Sequence, residues 1–152
     1  MGTYPTGVTV VAGIDPDGVP VGLAVNSFTS VSLDPPLVLF CPAHSSQSWP
    51  RIASTGLFAV NILSAEGGGV CDIFASRVDD KFSTISWQSG AHGLPVLESA
   101  VAALECEAVA VHPAGDHDIV VGRVLTVHRS PDAHPLVYYR GSYAAVTIGD
   151  RG

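Results

Sequence analysis

Two hydroxyl-rich clusters, a pair of cations and a turn histidine are the residues of this chain that could do chemistry. The first cluster follows an apolar run, "VPVGLAVNSFTSVSLDPP" (Val19 to Pro36), and offers Asn26, Ser27, Thr29, Ser30 and Ser32 before Asp34-Pro35-Pro36. Such groups can donate and accept along one edge of a flat polar heterocycle, with Phe28 supplying an apolar face. They can equally satisfy their own backbone in a turn. The second cluster, "HSSQSW" (His44 to Trp49), follows the next apolar run. It reads either as an ordinary helix cap, with Ser48 as N-cap, or as an anion site at a helix start.

In "FASRVDDKF" (Phe74 to Phe82), Arg77 and Lys81 are two of only seven cations and lie four residues apart between aromatics. They suit a phosphate, or they form solvated pairs with Asp79 and Asp80. Gly115-Asp116-His117 makes a tight corner that turns His117 outward. Each feature has an ordinary structural reading, and their chemical interest depends on all four meeting in one cleft.

Several known chemistries lack their residues. There is no G-x-G-x-x-G after a strand, no phosphate-loop G-x-x-x-x-G-K-[ST], no H-E-x-x-H and no G-x-S-x-G. Gly67-Gly68-Gly69 has the wrong spacing for a dinucleotide fingerprint. Cys41, Cys71 and Cys106 are odd in number and widely spaced, so neither a disulfide framework nor a zinc site follows, and Cys41 with His44 is half a metal site without its other half. Cys41 is expected to be a small buried thiol.

The elements that must position these groups are mostly strands. "GVTVVAGI" and "VPVGLAV" flank Asp15-Pro16-Asp17-Gly18 and read as a hairpin over residues 7–25. Further strands are expected at 36–41, 56–63, 100–112, 118–129, 135–139 and 142–148. About eight strands suit a closed barrel, which removes exposed edges. Short helices are expected at 46–55 and 65–77, and 78–99 reads as an irregular excursion too long to be idle.

Hydrophobic residues make up 47% and charged residues 14% of the 152, with a net charge of −7 and one lysine. One domain over residues 1–152 is expected, with part of its surface covered by a second copy of the chain. The charge balance argues against nucleic acid and against an anionic membrane surface. No apolar run reaches the roughly 18 residues of a membrane span, and a cytoplasmic protein is expected.

Taken together, "TGVTVVAG", "VGLAVNSFTSVSLDPPLVLFC", "SSQSWPRIASTGLFAVNIL", "FASRVDDKF", "GDHDIVVGRV" and "PLVYYRGSYA" resemble the flavin reductase-like, FMN-binding split-barrel proteins. These are the small reductase components of two-component flavin monooxygenases. The likeness runs from about Thr6 to Ala145. It implies a mainly β fold, an antiparallel split β-barrel of six strands with extra strands and a few short helices. It also implies a homodimer with flavin near the subunit interface.

By the same resemblance, Ala24, Val25, Asn26, Ser27, Phe28 and Ser30 hold the isoalloxazine and ribityl parts, with Ser32 beside them. Cys41, Pro42, Ala43, His44, Ser46 and Ser48 face ribityl and phosphate, and Trp49 stands where relatives often carry threonine. Phe74, Ala75 and Lys81 are further flavin contacts, with Arg77 and Phe82 in the same segment. His117 is placed by the nicotinamide, and Tyr143 borders the cleft. The implied activity is NAD(P)H:flavin oxidoreduction on FMN, with FAD left open, and delivery of reduced flavin to a separate oxygenase. NADH is the expected donor, because no arginine pair for a 2′-phosphate is evident in the sequence. The alternatives are a non-enzymatic flavin-binding protein on the same barrel and, more remotely, an oxidase acting directly on a small substrate.

Overall fold

A computed structural model describes residues 2–149. The chain opens with β1 (Thr6–Gly7), β2 (Thr9–Ile14), β3 (Pro20–Val25), β4 (Thr29–Leu33) and β5 (Pro36–Phe40), followed by helix α1 (Ser48–Ala53). Strand β6 (Leu57–Leu63) leads to helix α2 (Gly68–Ala75), then to β7 (Trp87–Ser89) and β8 (Pro95–Leu97). The long strands β9 (Ala100–Ala114) and β10 (His117–Arg129) precede a terminal pair, β11 (Val137–Tyr139) and β12 (Ser142–Ala144).

Seven strands form one antiparallel sheet in the order β3-β2-β6-β9-β10-β5-β4. Strands β3 and β4 are its two ends and do not pair with each other. The sheet is therefore a split barrel, and the closed barrel of about eight strands expected from strand count is corrected here. The hairpin of β2 and β3 is in register from Thr9 opposite Val25 to Ile14 opposite Pro20. Its turn is held by Asp15, whose Oδ1 accepts the N–H groups of Asp17 and Val19 at 3.0 and 2.9 Å. Gly18 adopts φ 80°, which a side chain would resist.

Side chains alternate across β2, so it feeds two cores. Val11 joins Phe40, Trp49, Ile52 and Phe58 inside the barrel, while Val10 and Ala12 join Leu63, Phe74, Phe82 and Leu97 outside it. The first core is knitted by edge contacts of Phe40 with Trp49 and Phe58, at 5.0 and 5.2 Å between ring centroids. Such pairs add about 0.5–1.5 kcal/mol each beyond plain burial.

Four further expectations change. The hydroxyl run is a strand, β4, paired with β5, because the backbone there completes the sheet edge even though its side chains suit a turn. Helix α1 is shorter than 46–55, and it is Ser46, not Ser48, whose Oγ accepts the N–H of Trp49 at 3.1 Å. Helix α2 starts at Gly68 and stops at Ala75, inside the expected 65–77. The last strand ends at Ala144, with no strand over 145–148.

The excursion at 78–99 contains the small hairpin of β7 and β8. Two fully buried polar side chains fasten it to the barrel. Glu105 accepts the N–H groups of Ala91 and His92, each at 2.8 Å, and pairs with His128 Nε2 at 2.7 Å. Asn61 accepts the Leu97 N–H at 2.8 Å and donates to the Pro95 carbonyl at 3.1 Å. No helix among the described residues is long and apolar enough to cross a membrane.

Candidate active site

A cavity of about 800 Å³ runs along the free edge of β3. One wall is the continuous stretch from Val19 to Ser27. The loop after β5 and the start of α1 supply Cys41 to Ala43, Ser45 to Ser48 and Arg51, and the segment from Phe74 to Phe82 faces them. His117 enters from the corner between β9 and β10.

A single hydroxyl fixes the mouth. Ser27 Oγ accepts the Cys41 N–H at 2.9 Å and donates to the Cys41 carbonyl at 3.3 Å, which ties the end of β3 to the end of β5. The β9–β10 corner docks on the same loop: His44 N–H donates to the Asp116 carbonyl at 2.8 Å and Asp118 N–H to the Pro42 carbonyl at 3.0 Å. Gly115 turns that corner at φ 68°. His117 Nδ1 lies 2.7 Å from Asp116 Oδ1, so the carboxylate orients the ring and leaves Nε2 for another partner. The His117 hydrogen bond and its charge hold the Asp116 carboxyl below the usual carboxylate range.

The opposite wall depends on Gly22. A Cβ there would stand 2.6 Å from the Phe74 ring, so glycine lets that ring lie flat on β3, where it meets Phe82 edge-on at 5.0 Å. Lys81 Nζ donates to the Phe74 carbonyl at 2.9 Å and closes the turn at 74–81. Partial burial pushes the Lys81 ammonium below its ordinary pKa. Among the described residues no ion pair reaches Arg77, Asp79, Asp80 or Lys81. The solvated bridges open to these groups in the sequence are thus not formed.

Fifteen of the twenty-one residues singled out from the sequence line this cavity: Ala24, Val25, Asn26, Ser27, Cys41, Pro42, Ala43, Ser46, Ser48, Phe74, Ala75, Arg77, Lys81, Phe82 and His117. The expected buried thiol at Cys41 is corrected: it is half-buried, because the loop after β5 opens onto the cavity, whereas Cys71 and Cys106 are buried. Burial, with the Glu105 charge beside it, pushes the Cys106 thiol up to about 12.

The other six lie elsewhere. Phe28 packs against the inner core, and Ser30 and Ser32 ride on the edge strand β4. His44 turns to Asp118, with Nε2 2.9 Å from Oδ1. Trp49 is 6% exposed inside the barrel, because the i, i+3 spacing of Trp49 and Ile52 gives the short helix its inward face. Tyr143 lines a second cavity of about 440 Å³ that shares Ala24, Val25, Asn26 and Ala75 with the first. Its hydroxyl donates to Asp72 Oδ1 at 2.6 Å, and desolvation together with that contact raises its pKa.

Sequence reasoning missed Arg51 in the cavity wall. Its guanidinium is gripped by Asp15, with Nε at 3.1 Å and Nη2 at 2.5 Å from Oδ2. Arg51, first among the causes, and the hairpin N–H groups hold the Asp15 carboxyl below its ordinary pKa. A usable signal existed: Arg51 follows Ser48 by three positions, which places both on one side of a helix.

An antiparallel split barrel whose cavity meets a histidine corner, a hydroxyl-bearing loop and unpaired cations defines a class. The flavin reductase like domain matches residues 1–147, and the chain belongs to that family. It is 48% identical over 143 residues to a flavin reductase of Pseudomonas putida, covering 94% of this chain and 84% of that one. It is 44% identical over 146 residues to the reductase subunit HsaB of a flavin-dependent monooxygenase from Rhodococcus jostii, covering 96% and 74%. Among solved structures, the NADH:FAD oxidoreductase SgcE6 of Streptomyces globisporus, in complex with NAD and FAD fragments, superposes with TM-score 0.90. That structure is 37% identical, with 96% of this chain and 88% of that chain covered.

Proposed function

We propose that this protein is an NADH:flavin oxidoreductase that reduces FMN or FAD and releases it to a separate monooxygenase. The observation that carries the reading is the meeting of Asn26–Ser27, Cys41–Ser48, Phe74–Lys81 and His117, four distant stretches, in one cavity. The relatives named above support the reductase role and the oxygenase partner. A flavin held there by Asn26, Ser27 and the 41–48 loop would supply the acceptor for a hydride from the nicotinamide.

The residues bind and orient. Asn26 and the backbone of Ser27 face the polar edge of the ring, where preorganised donors stabilise charge that builds on reduction. Ser46, Ser48 and the unpaired Lys81 and Arg77 face the ribityl phosphate, where an ammonium without a carboxylate partner gains most from an anion. His117, held by Asp116, places the nicotinamide face against the ring. No side chain has to move a proton in that step. NADH over NADPH follows from the carboxylates of Asp79 and Asp80 in the wall, which repel a 2′-phosphate. The apolar outer residues of the β9–β10 ribbon, Val109, Val111 and Val127, are about half exposed and suit a second copy of the chain in a cytoplasmic homodimer.

Absorbance of purified protein with FMN, before and after anaerobic NADH, tests the reading: bleaching with turnover supports it, and a bound flavin that stays oxidised identifies a binder instead. His117→Ala is expected to raise KM for NADH roughly tenfold while flavin affinity stays within about twofold. The opposite split would remove His117 from the nicotinamide.

A further inference from the structure

Strands β5 and β10 pair with Phe40 opposite Val120, and the same antiparallel register places Ala43 opposite His117. Regular pairing lapses between these two points, for reasons the residues supply. Pro42 has no N–H to donate, and the Cys41 N–H is already taken by Ser27 Oγ at 2.9 Å. The His117 corner is therefore attached beyond a gap in the ladder. Its backbone is held there by two bonds, Asp118 N–H to the Pro42 carbonyl and His44 N–H to the Asp116 carbonyl.

Successive residues of this stretch face opposite sides. Ala43 and His117 line the cavity, whereas His44 and Asp118 do not. Away from the cavity, His44 Nε2 lies 2.9 Å from Asp118 Oδ1, a diagonal pair across the two segments. Facing a carboxylate, Nε2 is the donor. Among the described residues this is the one side-chain hydrogen bond between the 41–48 loop and the corner at 114–118. The loop has other ties, from Cys41 to Ser27 and from Trp49 to Ser46. The corner's other side-chain bond, between His117 and Asp116, is internal to it. Loss of the pair would thus free the corner and leave the loop in place.

We infer that His44 and Asp118 are positioning residues that fix the corner against the flavin-side loop and so set where His117 meets the nicotinamide. Neither touches the reacting groups, and both act through His117. Their role rests on the nicotinamide reading of that residue given above. A small displacement of an orienting group weighs heavily, because the two rings must be held in a near-attack stack. With side chains 48% and 25% exposed, His44 and Asp118 can be cut back without stranding a buried polar group.

Asp118→Ala and Asp118→Asn test the pair, with melting temperature as the check on folding. KM and kcat for NADH are read at saturating FMN, and the Kd for FMN by fluorescence titration. Asp118→Ala is expected to raise KM for NADH about fivefold, with kcat and the Kd for FMN within twofold of wild type. Asp118→Asn keeps an oxygen for the Nε2 proton and should bring KM back to within twofold. In a His117→Ala background, Asp118→Ala should add nothing further. The pair's role is overturned by an unchanged KM, by no rescue with asparagine, by an undiminished rise without His117, or by parallel losses of kcat, flavin affinity and melting temperature. Should Asp118→Ala fail to fold, His44→Ala replaces it and must give the same rise in KM; no rise overturns the role. His117→Ala alone separates the two levels. If it leaves KM for NADH unchanged, the nicotinamide reading of His117 falls and takes the pair with it. If it raises KM and Asp118→Ala does not, the pair alone is lost.

Discussion

The β7–β8 hairpin at 87–97 and the cavity wall at 74–82 lie over the same barrel, yet the polar groups at the two have opposite fates. Beneath the β7–β8 hairpin, Glu105 and Asn61 are fully buried and hydrogen-bond to backbone groups and, for Glu105, to His128. In the wall, Arg77, Asp79 and Asp80 face the cavity without an ion pair, and Lys81 has only a carbonyl. A buried charge survives only when it is paired, whereas an accessible one without a carboxylate partner keeps its charge for a ligand. Satisfied polar groups here mark construction, and unsatisfied ones mark binding.

That contrast can be broken most forcefully at Glu105. Glu105→Ala removes the acceptor of the Ala91 and His92 N–H groups and of His128, and is expected to cost about 3 kcal/mol of unfolding free energy in urea titrations. Flavin affinity of the folded fraction should stay within twofold. A parallel loss of affinity would mean that the two regions are one unit.

Acid sharpens the same point. Burial pushes the Glu105 pKa up, but the His128 hydrogen bond and the His92 and Ala91 N–H groups outweigh it, and the net shift is downward from 4.5. A folded pKa below the unfolded one gives stability that is complete above about pH 4.5 and is lost as pH falls through the folded value. Denaturation midpoints of wild type and Glu105→Gln should therefore converge as pH drops below about 4.5 and stay parallel above it.

Lys81→Met probes the other side. Removing a half-buried ammonium with no carboxylate partner should change stability by less than about 1 kcal/mol, while the Kd for FMN rises about tenfold. Large destabilisation with intact binding would reverse the assignment. The smallest effect is expected at Tyr143→Phe, which deletes one exposed hydrogen bond to Asp72 and should cost under about 1 kcal/mol by thermal denaturation.

The sequence made most strands legible, because β-branched runs bounded by turn residues carry their own signal. The run Thr29–Leu33 did not, since hydroxyls at Ser30 and Ser32 fit a turn as well as a sheet edge, and only pairing with β5 decides. Strand closure was over-read for a related reason: counting strands says nothing about which two stay unpaired. Most of the candidate site came through local motifs, because each lining stretch is contiguous. Arg51 and Asp15 did not, as they lie 36 residues apart and Asp15 already had a sufficient reason to exist as a turn residue. Trp49 was drawn toward the site by its serine neighbours, while the helix turned it inward. Glu105 gave no signal either, as one acid in a strand reads as an outward position.

Asp15 does two jobs with two oxygens, one for the β2–β3 turn and one for Arg51. Turn length and cation placement are thereby geared to each other. Adding or deleting a residue between Asp15 and Val19 would swing the guanidinium across the cavity floor without touching any ligand-facing side chain. Ligand preference in such a barrel can thus drift through hairpin insertions, a kind of change that comparing pocket residues alone would overlook.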